Sequence, residues 1–244
     1  MTLTPQFGAI IGGHRLSPEV MENIREAASK TGVDFDFLVA QASVESGFRG
    51  NAHAERGSAA GLFQFTGATW LRMMHDHGAK YGHADLARAT KLTAQGTVAV
   101  ADPATEHRIL ELRRDNKLSA LFAAEYAKTN GSRIEAATGH KASAAELHLA
   151  HLLGPNGAIR FLKAHATNGG QSAAKVVPEA ARENPGLFYR RGTRNAQSVA
   201  AVYRNIEEKL SKPLHQVGAV EKEPLRQALG LSDNLPPQRT DRRA

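Results

Sequence analysis

Apolar residues recur at intervals of three and four along most of this chain, and short polar clusters punctuate them. The first such stretch opens with Ser17-Pro18-Glu19 and runs through Val20, Ile24, Ala27 and Ala28 to Gly32. A serine cap, a proline and an acid in the first turn and a closing glycine predict a helix with one apolar face. The next stretch, Asp34 to Gly47, is different. Phe35, Phe37, Leu38, Val39, Ala40, Ala42 and Val44 fall on every side of a helical wheel. A helix that is apolar all round is a buried one, and Glu45 lies in its last turn. Carboxylates are rarely buried without a reason, and both desolvation and the negative end of a helix favour the protonated, donor form of such a group.

Further along, residues 49–65 are rich in Gly, Ala and Ser and read as loop. Thr66 caps a predicted helix through Trp70, Leu71 and Met74 to Gly78. Residues 79–101 show no clear period and read as loop and short turns. Asp102-Pro103 repeats the cap-plus-proline start, with Ile109 and Leu112 on the helix that follows. Another helix is predicted from near Lys117, carrying Leu118, Leu121, Phe122, Glu125 and Tyr126 and ending by Gly131. Ser143-Ala-Ala-Glu146 is a capping box and opens a helix with Leu147, Ala150 and His151. Gly154-Pro155-Asn156-Gly157 is a turn signal, followed by a short helix with Ile159 and Phe161. Residues 168–195 read as mostly irregular. Val199, Val202, Ile206 and Leu210 define a last amphipathic helix. From 211 onward Pro213, Pro224, Pro236 and Pro237 and a charged end predict a mostly disordered tail, with one short docking turn around Leu225, Leu229 and Leu231. The domain reading is an N-terminal extension (1–16), a mainly α domain (17–210) and that tail (211–244).

Composition sharpens this. Of 244 residues, 41% are hydrophobic and 23% charged, the balance of a globular protein. The absence of cysteine excludes a disulfide framework, an iron–sulfur cluster and a cysteine nucleophile. The formal net charge of +7 steers the surface toward anionic partners. Lys and Arg are scattered rather than gathered on one predicted helix, so a nucleic-acid partner is not expected. No stretch has the length of a membrane span. The apolar run Ala9-Ile10-Ile11 is too short for a secretory leader. Phosphate-loop, dinucleotide and nucleophile-elbow motifs are missing, and no cofactor is expected. The closest histidine groupings, His75-Asp76-His77 and His148/His151, lack the spacing of zinc hydrolases, so no metal site is expected either.

Two short motifs carry the chemistry. Val44-Glu45-Ser46-Gly47-Phe48 is followed by Gly57-Ser58-Ala59-Ala60-Gly61-Leu62-Phe63-Gln64-Phe65. The pairing resembles the soluble lytic transglycosylase (SLT) family, which carries Glu-Ser at a helix end and Gly-Leu-x-Gln about twenty residues later. A third family motif, Ala-Tyr-Asn before a Gly-Pro-Gly turn, has a weaker counterpart in Ala150-His151-Leu152-Leu153-Gly154-Pro155-Asn156-Gly157. His151 stands where the family has a tyrosine that orients the glutamate, and Leu152 stands in place of asparagine. The resemblance covers roughly 17–210 and is nearest to a divergent branch seen in alphaproteobacterial and phage-associated proteins.

That resemblance implies a lysozyme-like helical fold with a glycan-binding cleft, acting on peptidoglycan strands in the periplasm or cell wall. The recruiting partner it suggests is a secretion, flagellar or phage apparatus. It makes Glu45 the general acid and then base for cleaving the β-1,4 bond between N-acetylmuramic acid and N-acetylglucosamine, with 1,6-anhydro products. Ser46 either orients Glu45 or caps the helix end. Ser58 and Gln64 match cleft positions in the family, against a plain role in loop hydrogen bonding. Phe63 and Tyr189 are either sugar-stacking platforms or core residues. Glu125 would hold an acetamido group, order a water or bridge to an arginine. Two other outcomes remain open: a hydrolytic muramidase, with Glu55 as a candidate second carboxylate, and a wall-binding module without activity.

Overall fold

The computed structural model describes residues 8–53 and 58–228, with side chains through Val220. The chain begins with a hairpin. β1 (Ala9–Ile11) pairs antiparallel with β2 (His14–Leu16), with Ile11 opposite His14. The two-residue link, Gly12-Gly13, has positive φ at both positions (63° and 88°), the conformation that the tightest hairpin turns require. Ile11 and Leu16 are buried in the main core. Residues 9–16 are therefore part of the body rather than an extension from it.

The helix starts follow their caps. Ser17 accepts a hydrogen bond from the Val20 N–H at the head of α1 (Pro18–Thr31), and Gly32 closes it in the left-handed conformation. Asp34 accepts from the Phe37 N–H at the head of α2 (Phe35–Ser46), which Gly47 closes at φ 60°. Thr66 caps α3 (Gly67–His77).

Residues 79–101, expected to be loop, contain regular structure. A 3-10 turn (Gly78–Tyr81) leads to α4 (Ala84–Ala89), and β3 (Thr90–Leu92) pairs antiparallel with β4 (Val98–Val100). These pieces are three to six residues long, too short to display a period.

Then come α5 (Pro103–Glu111), a 3-10 turn (Leu112–Arg114) and α6 (Asn116–Thr138). The last of these passes through Gly131, where it was expected to stop, and ends at Gly139 in the left-handed conformation. Ile134, one turn past Gly131, is fully buried, and that packing outweighs the roughly 1 kcal/mol that an internal glycine costs.

The capping box at Ser143 and Glu146 is formed and opens α7 (Ala144–Asn168). This helix is broken at Gly154 (φ 65°, ψ 163°) in front of Pro155, where the sequence placed its turn. Three short helices occupy the stretch expected to be irregular: α8 (Ala173–Val176), α9 (Pro178–Glu183) and α10 (Pro185–Phe188).

The last helix, α11 (Val199–Ala228), runs eighteen residues beyond Leu210, where the tail was expected to begin. Pro213 and Val217 continue its buried stripe after Ile206 and Leu210. Gln216 accepts a hydrogen bond from the Gly12 N–H of the hairpin at 2.6 Å. Packing against α2 and β1 outweighs the hydrogen bond that Pro213 cannot donate. Of the expected docking turn, Leu225 falls on this helix, and Leu229 and Leu231 lie outside the described residues.

The protein is thus mainly helical, with α2 at its centre, packed on by α1, α6 and α11. One core cluster gathers Leu38, Phe63, Phe65, Trp70 and Phe122. A second joins Phe161, Phe188, Ile206 and Ala40. Both touch α2, so its apolar surface is used on every side. No described helix is long and apolar enough to cross a membrane.

Candidate active site

The end of α2 is held by a hydroxyl. Ser46 is 3% exposed, and its Oγ donates to the Leu62 carbonyl at 2.7 Å while accepting from the Arg49 N–H at 3.2 Å. Ser46 thus joins the helix terminus to the Gly61-Leu62-Phe63-Gln64 loop and reaches neither solvent nor Glu45. Of its two expected roles, structure at the helix end is the one present.

The loop fastens itself in the same manner. Gly61 adopts φ 84°, and a Cβ there would overlap the Arg113 carbonyl, so glycine is required. Gln64 adopts φ 49°, and its Nε2 donates to the carbonyls of Gly61 (2.9 Å) and Ala52 (3.1 Å). Arg113 straps the loop from outside by donating to the Ser58 carbonyl. Ser58 is exposed, and its hydroxyl accepts from the Gly67 N–H at 3.4 Å. Residues 54–57, with Glu55 among them, lie outside the described residues.

Phe63 is fully buried in the first core cluster. It offers no face to a sugar, and its assignment as a platform is corrected to core packing. Tyr189 packs against the second cluster, beside α10.

With the helix end fixed, Glu45 meets α7. Its Oε1 lies 3.6 Å from His148 Nδ1 and 3.6 Å from His151 Nε2. The Glu45 side chain is 11% exposed, that of His151 9%, and that of His148 not at all. The two imidazoles stack with centroids 6.3 Å apart and planes 12° from parallel. His151 also stands edge-on to Phe65 and Tyr126. Phe65 ends the glycine-rich loop, so α6, α7 and the loop meet at His151, and His151 in turn faces Glu45 of α2.

The separations of 3.6 Å are too long for hydrogen bonds. Glu45 Oε1 and both ring nitrogens of His148 are buried without a partner. Buried polar atoms are nearly always paired, so these mark an unusual spot. Burial, then the nearby Lys209 and His151, push the His148 imidazole well below the usual histidine range. It is therefore a neutral ring with one N–H and one lone pair. Burial likewise pushes the Tyr126 hydroxyl up.

Glu125 belongs to a separate cluster. Its Oε1 accepts from Lys80 Nζ at 2.5 Å and from Tyr81 Oη at 2.7 Å, with His77 Nδ1 4.0 Å from Oε2. Burial acts to raise this carboxyl, but the hydrogen bonds from Lys80 and Tyr81 prevail and hold it below the usual range. It is an ion-paired carboxylate, bridged to a lysine rather than to an arginine. Of its three expected roles, the ion pair is the one present.

Sequence reasoning brought Glu45 and His151 to one place and missed the part played by His148 and Tyr126. The signal for His148 is its place three residues before His151, which puts both imidazoles on one face of α7. Among the described residues, no group of three or more His, Cys, Asp or Glu is disposed to hold a metal ion. No protein-family model matches the chain.

Proposed function

We propose that this protein is a peptidoglycan lytic transglycosylase on a lysozyme-like helical fold, with Glu45 as its acid and base. The observation that carries this reading is the Glu45 carboxyl at the end of a buried helix, against two imidazoles and beside the Gly-Leu-Phe-Gln loop.

Cleavage of the β-1,4 bond passes through an oxocarbenium-like state and needs a proton on the departing oxygen. A carboxyl group largely withdrawn from water is suited to deliver one. Glu45 gives its proton to the N-acetylglucosamine oxygen. The resulting carboxylate then takes the proton of the muramic acid 6-hydroxyl as that oxygen bonds to the anomeric carbon. One proton leaves Glu45 and one returns, no water is consumed, and the product is a 1,6-anhydro sugar. A single carboxyl suffices, which fits Glu125 being committed to Lys80 and Tyr81.

The substrate is an anionic polymer, which the formal charge of +7 complements. The place of action is accordingly the periplasm or cell wall, and a secretion, flagellar or phage apparatus is the recruiting partner that the resemblance suggests.

The test is release of soluble muropeptides from purified peptidoglycan by the wild type and Glu45→Gln. The substitution is isosteric and is expected to lower release by about 10²–10⁴-fold with the fold intact. A glutamine variant that releases material at the wild-type rate refutes the role of Glu45. Binding of peptidoglycan without release by either protein favours the wall-binding module.

A further inference from the structure

His148 is an expensive residue in its present position. It lies on the first half of α7 with no exposed surface, and neither ring nitrogen has a hydrogen-bond partner. An apolar side chain would fill that space without leaving two polar atoms unpaired. Glu45 Oε1 is buried and unpaired in the same way, and it lies 3.6 Å from His148 Nδ1. Two orphaned groups of complementary chemistry thus face each other one small side-chain movement short of a hydrogen bond. In unliganded enzymes, catalytic hydrogen bonds are often long and close only when substrate arrives.

We propose that His148 is a positioning residue for Glu45: its Nδ1–H donates to Oε1 and fixes the carboxyl so that Oε2 meets the glycosidic oxygen. The proposal rests on the reading of Glu45 as the acid and base.

The surroundings suit the role. The charged and titratable groups near His148 are Glu45 from α2, His151 on α7 itself and Lys209 from α11. Because it stays neutral, the ring offers Glu45 a donor without adding a charge. His151 reaches the same oxygen at 3.6 Å, but it keeps some exposure and borders Phe65 and Tyr126. His148 is the enclosed member of the pair and the one whose geometry the core dictates. The acceptor that it orients is the oxygen hidden from solvent, which leaves the other one for chemistry.

Two substitutions separate this role from simple packing. His148→Leu fills much of the volume and removes the donor. His148→Asn keeps an N–H close to the place of Nδ1. Muropeptide release is measured for wild type, both variants and Glu45→Gln, with the melting temperature of each. His148→Leu is expected to lose roughly 100-fold in kcat with little change in KM, the scale of a misplaced catalytic group. His148→Asn is expected to recover most of that loss. A leucine variant as active as wild type, or an asparagine variant that is stable yet no better than leucine, overturns the proposal.

The ¹⁵N spectrum of the wild-type imidazole is an independent readout that needs neither variant folding nor turnover. A proton on Nδ1 of His148 is expected, and a proton on Nε2 alone overturns the donor role. Wild type without Glu45-dependent products refutes instead the reading on which the proposal rests, so the two failures are distinguishable.

Discussion

At the residue scale, the surroundings of Glu45 depend on side chains whose part is purely structural. Ser46 illustrates this. Its hydroxyl satisfies the Leu62 carbonyl and the Arg49 N–H together, and so joins the end of α2 to the loop. Ser46→Ala leaves both groups without that partner. The expected cost is about 1–3 kcal/mol in denaturant unfolding, with turnover reduced alongside. Unchanged stability would mean that the helix end and the loop are held by packing alone. Phe63 carries a similar lesson. Its place in Gly-Leu-Phe-Gln suggested a sugar contact, whereas its full burial makes it an anchor of the loop to the core.

At the element scale, two features decide the geometry. The first is the break in α7. Gly154 sits at φ 65° and ψ 163°, a region essentially closed to residues with a Cβ, although there is open space around it. Gly154→Ala is therefore a test of conformation rather than of crowding. It is expected to cost roughly 1–3 kcal/mol and to disturb His151 one turn earlier. The second is the length of α11. A chain ending at Ser211 lacks Pro213, Val217 and the Gln216 contact to the hairpin. Burial of Val217 alone is worth roughly 1.5–3 kcal/mol, so the shortened protein is expected to melt distinctly lower. An unchanged melting temperature would show residues 212–228 to be dispensable.

Legibility in the sequence follows the same division. Caps and glycine stops are local, which is why α1, α2, α3 and the capping box of α7 are readable at their starts. The burial of Glu45 is legible because its helix is apolar on every side. Short pieces such as β3, β4 and α8–α10 carry too few residues to show a period. Pro213 reads as a breaker because a sequence does not display the α2 surface that the helix covers. The approach of His148 to Glu45 joins residues 103 positions apart and exists only once α2 packs against α7.

At the scale of the whole molecule, buried ionisable groups set the response to pH. The His148 imidazole lies well below its ordinary value, so the unfolded chain binds a proton that the folded chain refuses. Its contribution to stability is therefore present above pH about 6.5 and is lost progressively as the pH falls below that value. Glu125 is also held low, so its contribution is present above the ordinary carboxylate value and is lost on further acidification, as the pH falls through its folded value. Lys80 is raised by the same pairing, but it is more than half exposed and contributes little. The melting temperature is expected to fall from pH 7 to pH 5, and His148→Leu is expected to flatten that decline. A decline of equal slope in the variant would assign it to other groups.

The masses of the products released from peptidoglycan distinguish the proposed chemistry of Glu45 from its alternatives. Peptidoglycan digested by the wild type is expected to release muropeptides ending in 1,6-anhydro-muramic acid, lighter by one water than hydrolysis products, and Glu45→Gln is expected to release almost none. Products with reducing ends would contradict the transglycosylase account and identify a muramidase that activates water with a second group.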